Sequence, residues 1–599
     1  MTLGGETGEE RGGIARWIPG LRVLRTYDRH WARPDVVAGI VLAAILVPQG
    51  MAYAELAGLP PVTGLYTTIA CLVGYAIFGP SRILVLGPDS SVSPMIFAAL
   101  VPLLVGGDTH RAIALAGMLA VIVALIEIGM GLTRLGFVAD LLSNEVQVGY
   151  MNGLALVIIV GQLPKLFGFS TDASGFGPEV KAFFVHLDAT VGAALVIGLA
   201  VLAILLVLPR FTRVLPAVLV AIVAATALSA ILDLHAHGVP TVGTLPRGIP
   251  KPAFPWTKFS DIGPLMIAAV GITLVSLADT IATSSAFGAR RGEEVDPNQE
   301  MIGIGAANLA AGCLQGFAVS TSGSRTAVVE QAGAKSQVAS VVGAGIVAVL
   351  LLFFNSLLKD LPQSALAAIL IAAALSLLDL PALVRYWQVR KSAFVLSLVA
   401  SIGVVVLGVL QGIVIAIALA VVLYFRRGWQ PHGAVLGEVG GQSGWHNVEH
   451  YPDARRLPGI VVYRWEAPLF FANCSAFRTQ VRRIVRSQHP QWIVIQCEAV
   501  TDLDVSAASM LEQLDLELNA AGIRMAFVEL RSRLQELVLR YGLFQTLDRD
   551  HFYPSLDDAL AAIREAPSDQ PGPVPDNVAR QMPPAAADPP TSGGGSASS

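Results

Sequence analysis

Long apolar runs separated by short polar connections fill residues 34–428. A helix needs roughly 20 apolar residues to cross the hydrocarbon core of a bilayer. The pattern predicts about 14 membrane segments, near 36–57, 63–80, 91–106, 112–131, 141–166, 189–208, 213–232, 262–287, 300–317, 324–334, 337–357, 363–378, 392–409 and 411–426. Two of them are interrupted by polar residues. Leu86-Gly87-Pro88-Asp89-Ser90-Ser91-Val92-Ser93 and Ser320-Thr321-Ser322-Gly323-Ser324-Arg325-Thr326 each run straight into a new apolar helix. Irregular backbone at membrane depth survives only where it lines a cavity or is buried in protein. Interrupted segments at matching places in two halves of a chain point to a transporter's binding site.

Seven segments precede the polar stretch 233–260 and seven follow it. An odd number per half makes the second half enter from the opposite side. The pattern therefore predicts an inverted repeat, about 34–235 and 261–428, with the broken stretches in the third segment of each half. The Pro-rich join from Asp233 to Asp261 links the halves. An even total leaves both termini on one side. Arg and Lys crowd the segments that would face the cytoplasm, as in Arg290-Arg291, Arg390-Lys391 and Arg426-Arg427, and are fewer on the other side. By the positive-inside rule both termini are cytoplasmic.

After Arg427 the periodicity changes. Ile460–Tyr463, Trp492–Ile495 and Met525–Val528 read as short buried strands. Amphipathic stretches at about 474–487, 505–520 and 531–541 alternate with them, which predicts a small α/β domain over 429–565. Residues 566–599 are Pro, Ala, Gly and Ser with few apolar anchors and are expected to be disordered. Residues 1–33 are polar and basic, without the apolar stretch of a signal peptide.

Composition agrees. Of 599 residues, 54% are hydrophobic and 14% charged, with a mean hydropathy of +0.63. Soluble domains are about 25% charged. The four cysteines, Cys71, Cys313, Cys474 and Cys497, suggest neither a disulfide framework nor a zinc site. No nucleotide-binding loop or metal cluster marks an enzyme, and neither a cofactor nor a nucleic-acid partner is expected.

The chemistry lies at the broken stretches. Ser90, Ser91 and Ser93 in the first, and Ser322, Gly323 and Ser324 in the second, sit at helix starts. A helix start presents unpaired N–H donors and about half a positive charge. Facing starts would give an anion hydrogen bonds from both. The plainer alternative is two kinks with serines bonded back to their own helices. Arg325 is the sole basic residue between Arg291 and Lys335. It reads as attraction for the anion or as the partner of Glu330 or another carboxylate. Asp279 lies inside an apolar helix with Thr283 four residues on, hence on the same face. An intramembrane carboxylate is a functional hypothesis by default. Asp279 holds a proton, or with Thr283 holds Na⁺ through oxygen ligands, or pairs with Arg325. Pro48-Gln49-Gly50-Met51-Ala52-Tyr53 interrupts the first helix, with Gln49 a donor and Tyr53 a wall. Glu55, Glu127, Asp140 and Glu145 receive no role.

Pro48 to Tyr66 resembles the signature of the sulfate permease (SulP) family, relatives of mammalian anion exchangers and prestin. Val295-Asp296-Pro297-Asn298-Gln299-Glu300-Met301-Ile302 resembles its second signature, and Ser324-Arg325-Thr326 its tenth-helix start. The 429–565 segment resembles the family's STAS domain. The resemblance implies a polytopic α-helical membrane protein with a 7+7 inverted repeat, uracil-permease-like core and gate domains, and a cytoplasmic α/β STAS domain. It implies a multi-pass homodimer in the plasma or inner membrane that carries an anion by an elevator motion. The anion would lie between Ser90-Ser91 and Ser322-Gly323-Ser324, lined by Gln49 and Tyr53, with charge from Arg325. Asp279 matches the position tied to proton or sodium coupling. A sodium-coupled bicarbonate relative shares the Asp279/Thr283 spacing, but this chain has Thr321-Ser322-Gly323 where that relative has Gly-Ala-Thr, which favours protons. Ser506 falls where related STAS domains carry a phosphorylated serine, in a degraded motif, Asp504-Val505-Ser506-Ala507, that equally fits a helix cap. No partner of the STAS domain is indicated.

The expectation is proton-coupled uptake of sulfate or a similar oxyanion. The alternatives are a bicarbonate or C4-dicarboxylate transporter coupled to sodium or protons, or an anion exchanger. A nucleobase carrier is disfavoured by Arg325, and a scaffold without transport by Asp279.

Overall fold

The computed structural model describes residues 18–565 apart from 105–107, 137–142, 172, 174, 212–216, 430, 443, 544–546 and 548. The N-terminal 1–17, Asp140 and the tail 566–599 lie outside the described residues. The chain divides into two compact units that meet at Val421 and Val422.

The first unit begins with α1 (Pro19–Arg25), α2 (Ala32–Leu56), α3 (Pro61–Phe78), strand β1 (Leu86–Gly87), α4 (Ser93–Leu100), α5 (Thr109–Leu132), α6 (Asn144–Leu166), α7 (Phe176–Val185), α8 (Gly192–Phe211) and α9 (Ala217–Ile231). It continues with α10 (Phe259–Arg291), α11 (Pro297–Cys313), β2 (Ser320–Thr321), α12 (Gly323–Gln331), α13 (Val338–Phe353), α14 (Gln363–Leu377), α15 (Leu380–Val389), α16 (Lys391–Leu407) and α17 (Val409–Trp429), which runs into the second unit. Each of the 14 expected segments falls on a helix. Among the described residues, seven helices are long and apolar enough to cross a membrane, and shorter apolar helices fill places between them.

The two halves repeat the same order of parts. Each places a two-residue strand before its third, short helix. Each also inserts a ten-residue helix after its fifth membrane helix, α7 and α15. Hydropathy did not predict these two inserts. The first helix is not interrupted as expected. Proline inside a helix removes a hydrogen bond and crowds the preceding turn, yet α2 continues through Pro48. The signature residues of α2 and α3 serve close packing: a Cβ at Gly64 would meet Gly50 O at 1.9 Å, so the backbones touch there.

Capping explains several helix starts. Asp108 accepts from His110 N and Arg111 N ahead of α5, and Asp296 accepts from Asn298 N ahead of α11, whose first residue is Pro297. Gly292, at φ 68°, ends the 33-residue α10.

Packing sorts the helices into two bundles. The first holds α2, α3, α4, α5, α10, α11, α12 and α13; the second holds α6, α8, α9, α14 and α16. The principal contacts between them run from α2 to α14 and α9.

The second unit is an α/β sandwich with strands β3 (Gly433–Glu438), β4 (Trp445–Asn447), β5 (Ile460–Trp465), β6 (Trp492–Gln496), β7 (Arg524–Val528) and β8 (Phe552–Tyr553), in sheet order β4-β3-β5-β6-β7-β8. From β5 to β8 the pairing is parallel, while β3 pairs antiparallel with β4 and β5. Val461, Tyr463 and Trp465 pack with α18 (Cys474–Gln488), α19 (Val505–Ala520) and α20 (Ser532–Arg540) on one face. Val462 packs with α21 (Leu556–Glu565) on the other, as a period of two demands.

Candidate functional site

The two broken segments meet. β1 and β2 pair antiparallel, Leu86 opposite Thr321 and Gly87 opposite Ser320. Ser322 N donates to Val85 O at 3.2 Å, and Val85 N donates to Thr326 Oγ1 at 3.1 Å. Side chains satisfy the rest of the non-helical backbone. Val319 N donates to Asn308 Oδ1 at 2.8 Å, Ser276 Oγ donates to Val319 O at 3.3 Å, and the Thr280 and Thr321 hydroxyls lie 2.8 Å apart. Asn308 is held in turn by Glu127 Oε2 at 2.8 Å. Open backbone can exist at this depth because these partners replace the water that is missing.

Beside the crossing lies a cavity of about 610 Å³. Gln49 and Tyr53 from α2, Ser90 and Ser91 ahead of α4, Asp279 and Thr283 from α10, and Ser322, Gly323 and Ser324 at the start of α12 all line it. Sequence reasoning therefore brought together residues from four separate parts of the chain. Ser93 does not join them: it is fully buried, and its hydroxyl has no protein partner.

Arg325 is the exception among the expected anion contacts. It is 3% exposed and does not line the cavity. Its Nη1 donates to Pro88 O at 2.6 Å, and its Nη2 pairs with Asp89 Oδ1 at 3.0 Å. A Cβ on Gly87 would come within 2.9 Å of Nη1, so the bare strand is what lets the guanidinium pack there. The anticipated partners are engaged elsewhere. Glu330 pairs with Arg290 and Arg291, and Asp279 Oδ1 accepts from the uncharged Gln147 Nε2 at 3.0 Å.

Sequence reasoning assigned no role to Asp89 or Gln147, which both line the cavity. Asp89 Oδ2 accepts from Ser91 N at 3.0 Å and from Ser91 Oγ at 2.8 Å. An Asp two residues before an N–H at a helix start is a signal for this cap. On the second side Ser322 plays the capping part, its hydroxyl accepting from Arg325 N at 3.5 Å. Thr283 flanks it, 3.8 Å from where a Cβ on Gly323 would stand.

The second bundle closes the cavity with one set of helix ends. Gln147 and Met151 lie near the start of α6, and Leu205 and Pro209 near the end of α8. Ala217 and Val218 begin α9, and Ser376 and Leu377 end α14. Counting the crossings, all these ends lie on the side of the chain's N-terminus. On the opposite side Lys165 Nζ pairs with Glu55 Oε2 at 2.9 Å, joining α6 to α2.

In the second unit Ser506 is exposed in the first turn of α19, where Asp504 accepts from Ala507 N at 2.8 Å and from Phe471 N at 2.8 Å.

A two-bundle fold of repeated apolar halves, with a cavity lined by polar and apolar side chains at the crossing of two broken segments and an α/β domain after it, is the architecture of a multi-pass membrane transporter. Residues 33–400 match the sulfate permease family and residues 451–559 the STAS domain. The chain belongs to the sulfate permease family. It is 40% identical to "Probable sulfate transporter MT1781" of Mycobacterium tuberculosis (strain CDC 1551 / Oshkosh), over 92% of this chain and 98% of that protein. It is 30% identical to "Sulfate transporter 4.1, chloroplastic" of Arabidopsis thaliana, over 91% of this chain and 83% of that one. The solved structure of murine Slc26a9, an anion transporter in the inward-facing state, shares its fold. The TM-score is 0.85 and the identity 23%, over 94% of this chain and 96% of that one.

Proposed function

We propose that this protein takes up sulfate or a similar inorganic oxyanion by secondary active transport coupled to protons. The anion rests between the starts of α4 and α12, against Ser90, Ser91, Ser322, Gly323 and Ser324, with Gln49 and Tyr53 completing the wall. One observation carries this reading: two helix starts and Asp279, which accepts from the uncharged Gln147 amide, line the same cavity. Helix starts favour anions. A carboxylate facing that anion repels it until a proton or cation neutralises the carboxylate, which ties the two loads together. The relatives' names support sulfate as the first cargo to test.

In this reading the first bundle, with α4 and α12, carries the cargo past the second in an elevator motion. The division into two bundles, joined chiefly through α2, supports it. The termini are cytoplasmic and the cavity opens inward. The protein acts as a homodimer in the cell's plasma or inner membrane, and the STAS domain, with Ser506 exposed, faces the cytoplasm.

Accumulation of labelled sulfate by proteoliposomes under an inward proton gradient tests the proposal. Accumulation driven by a sodium gradient alone would transfer the coupling to Na⁺ at Asp279 and Thr283. Exchange without accumulation would make the protein an antiporter. Competition by unlabelled bicarbonate and succinate ranks the cargo.

A further inference from the structure

The turn ahead of α4 already holds an anion, and that anion belongs to the chain. Asp89 Oδ2 takes Ser91 N and Ser91 Oγ, two of the donors that a cargo anion would use. Asp89 Oδ1 takes Arg325 Nη2, the positive charge nearest the crossing. The carboxylate itself lines the cavity, whereas the guanidinium lies behind it. The turn is also gripped by the other bundle, since Tyr150 OH on α6 donates to Ser91 O at 2.7 Å.

We propose that Asp89 is a built-in competitor for the cargo and the positioning residue for Arg325. Its carboxylate occupies the Ser91 donors in the turn ahead of α4 and cancels the arginine's charge, so cargo seats fully only by displacing it. The inference rests on the reading of the cavity as an anion site. Its chemical consequence is selectivity. Arg325 and Asp89 together bring no net charge, so a monoanion gains little from the arginine. A dianion competes better, because it exchanges two charges against the one it displaces. The α12 start lacks this device, being capped by the neutral Ser322. The same competition keeps cargo from binding so tightly that it cannot leave.

The test is binding and transport by the full chain carrying Asp89→Asn. The amide oxygen can still accept from Arg325, but the site gains one unit of positive charge. Sulfate should bind about tenfold more tightly or better, the low end of the coupling measured between close charges at interfaces. The gain should be smaller for chloride and bicarbonate. In proteoliposomes KM and turnover should both fall, a pattern that loss of structure does not produce. Adding Arg325→Gln should erase the gain. Calorimetry with sulfate, bicarbonate, chloride and succinate separates the two levels of the argument. If none of the four binds the wild type, the anion-site reading falls. If one binds the wild type but binds a normally melting Asp89→Asn protein equally or less tightly, Asp89 is no competitor. Where the Asn variant does not fold, Asp89→Ser carries the same expectation, since its hydroxyl can hold the Ser91 N–H.

Discussion

In the turn ahead of α4 a carboxylate accepts from the Ser91 N–H, and at the start of α12 a hydroxyl accepts from the Arg325 N–H. The two crossings come from equivalent places in the two halves, yet they are charged differently. The first crossing carries Asp89 within its own turn and uses it to hold an arginine supplied by the second. The second carries no acid of its own and faces Asp279, supplied by α10. Both stretches line one cavity, but an acid within the first takes up its Ser91 donors while only a neutral hydroxyl caps the second.

This contrast can be broken experimentally. Asp279→Asn removes the carboxylate facing the open crossing and should abolish pH-driven accumulation while leaving anion exchange, read as labelled uptake with and without a proton gradient. Unchanged accumulation would move the coupling away from α10. Arg325→Gln leaves the Asp89 carboxylate without its cation. Breaking a buried pair on one side costs about 3–5 kcal/mol, and with Asp89 at the cavity edge the lower end is expected, measured by thermal unfolding in detergent. Gly87→Ala drives a Cβ toward Arg325 Nη1 and should cost about 1–3 kcal/mol, as overpacking of a filled interior does. Gly323→Ala, with nothing nearer than 3.8 Å, should leave stability within about 0.5 kcal/mol and show itself in the KM for the anion. Ser322→Ala removes the neutral cap at a cost of about 1 kcal/mol. An equal stability loss at Gly87 and Gly323 would mean that the two crossings are packed alike.

Much of this was legible in the sequence because lipid imposes long apolar runs. The 14 segments, the join between halves and the two broken stretches all follow from hydropathy. The inserts α7 and α15 did not, because ten-residue amphipathic helices satisfy neither a spanning length nor a simple polar loop. In the α/β domain β3 was missed because the apolar run of Gly433–Glu438 is only three residues long, between glycines. Gln49, Tyr53, Ser90, Ser91, Asp279, Thr283, Ser322 and Ser324 were legible as polar side chains in apolar surroundings, and Gly323 as part of a broken segment; all line the cavity. The partner of Arg325 was not legible. It lies 236 positions away, and the nearer carboxylate on its own helix, Glu330, was the natural guess. Asp89 read as part of a turn because Pro88 and two serines flank it.

The Glu55–Lys165 pair gives the side opposite the cavity a different significance. Its members are 9% and 28% exposed, and it ties one bundle to the other on the side away from the cavity. Any motion that opens that side must first part these charges. A contact contributing about 1–3 kcal/mol shifts a two-state equilibrium by roughly 5–150-fold. Under the proposed elevator motion, one lysine and one glutamate thus weight the balance of the empty protein toward the arrangement whose cavity lies on the N-terminal side.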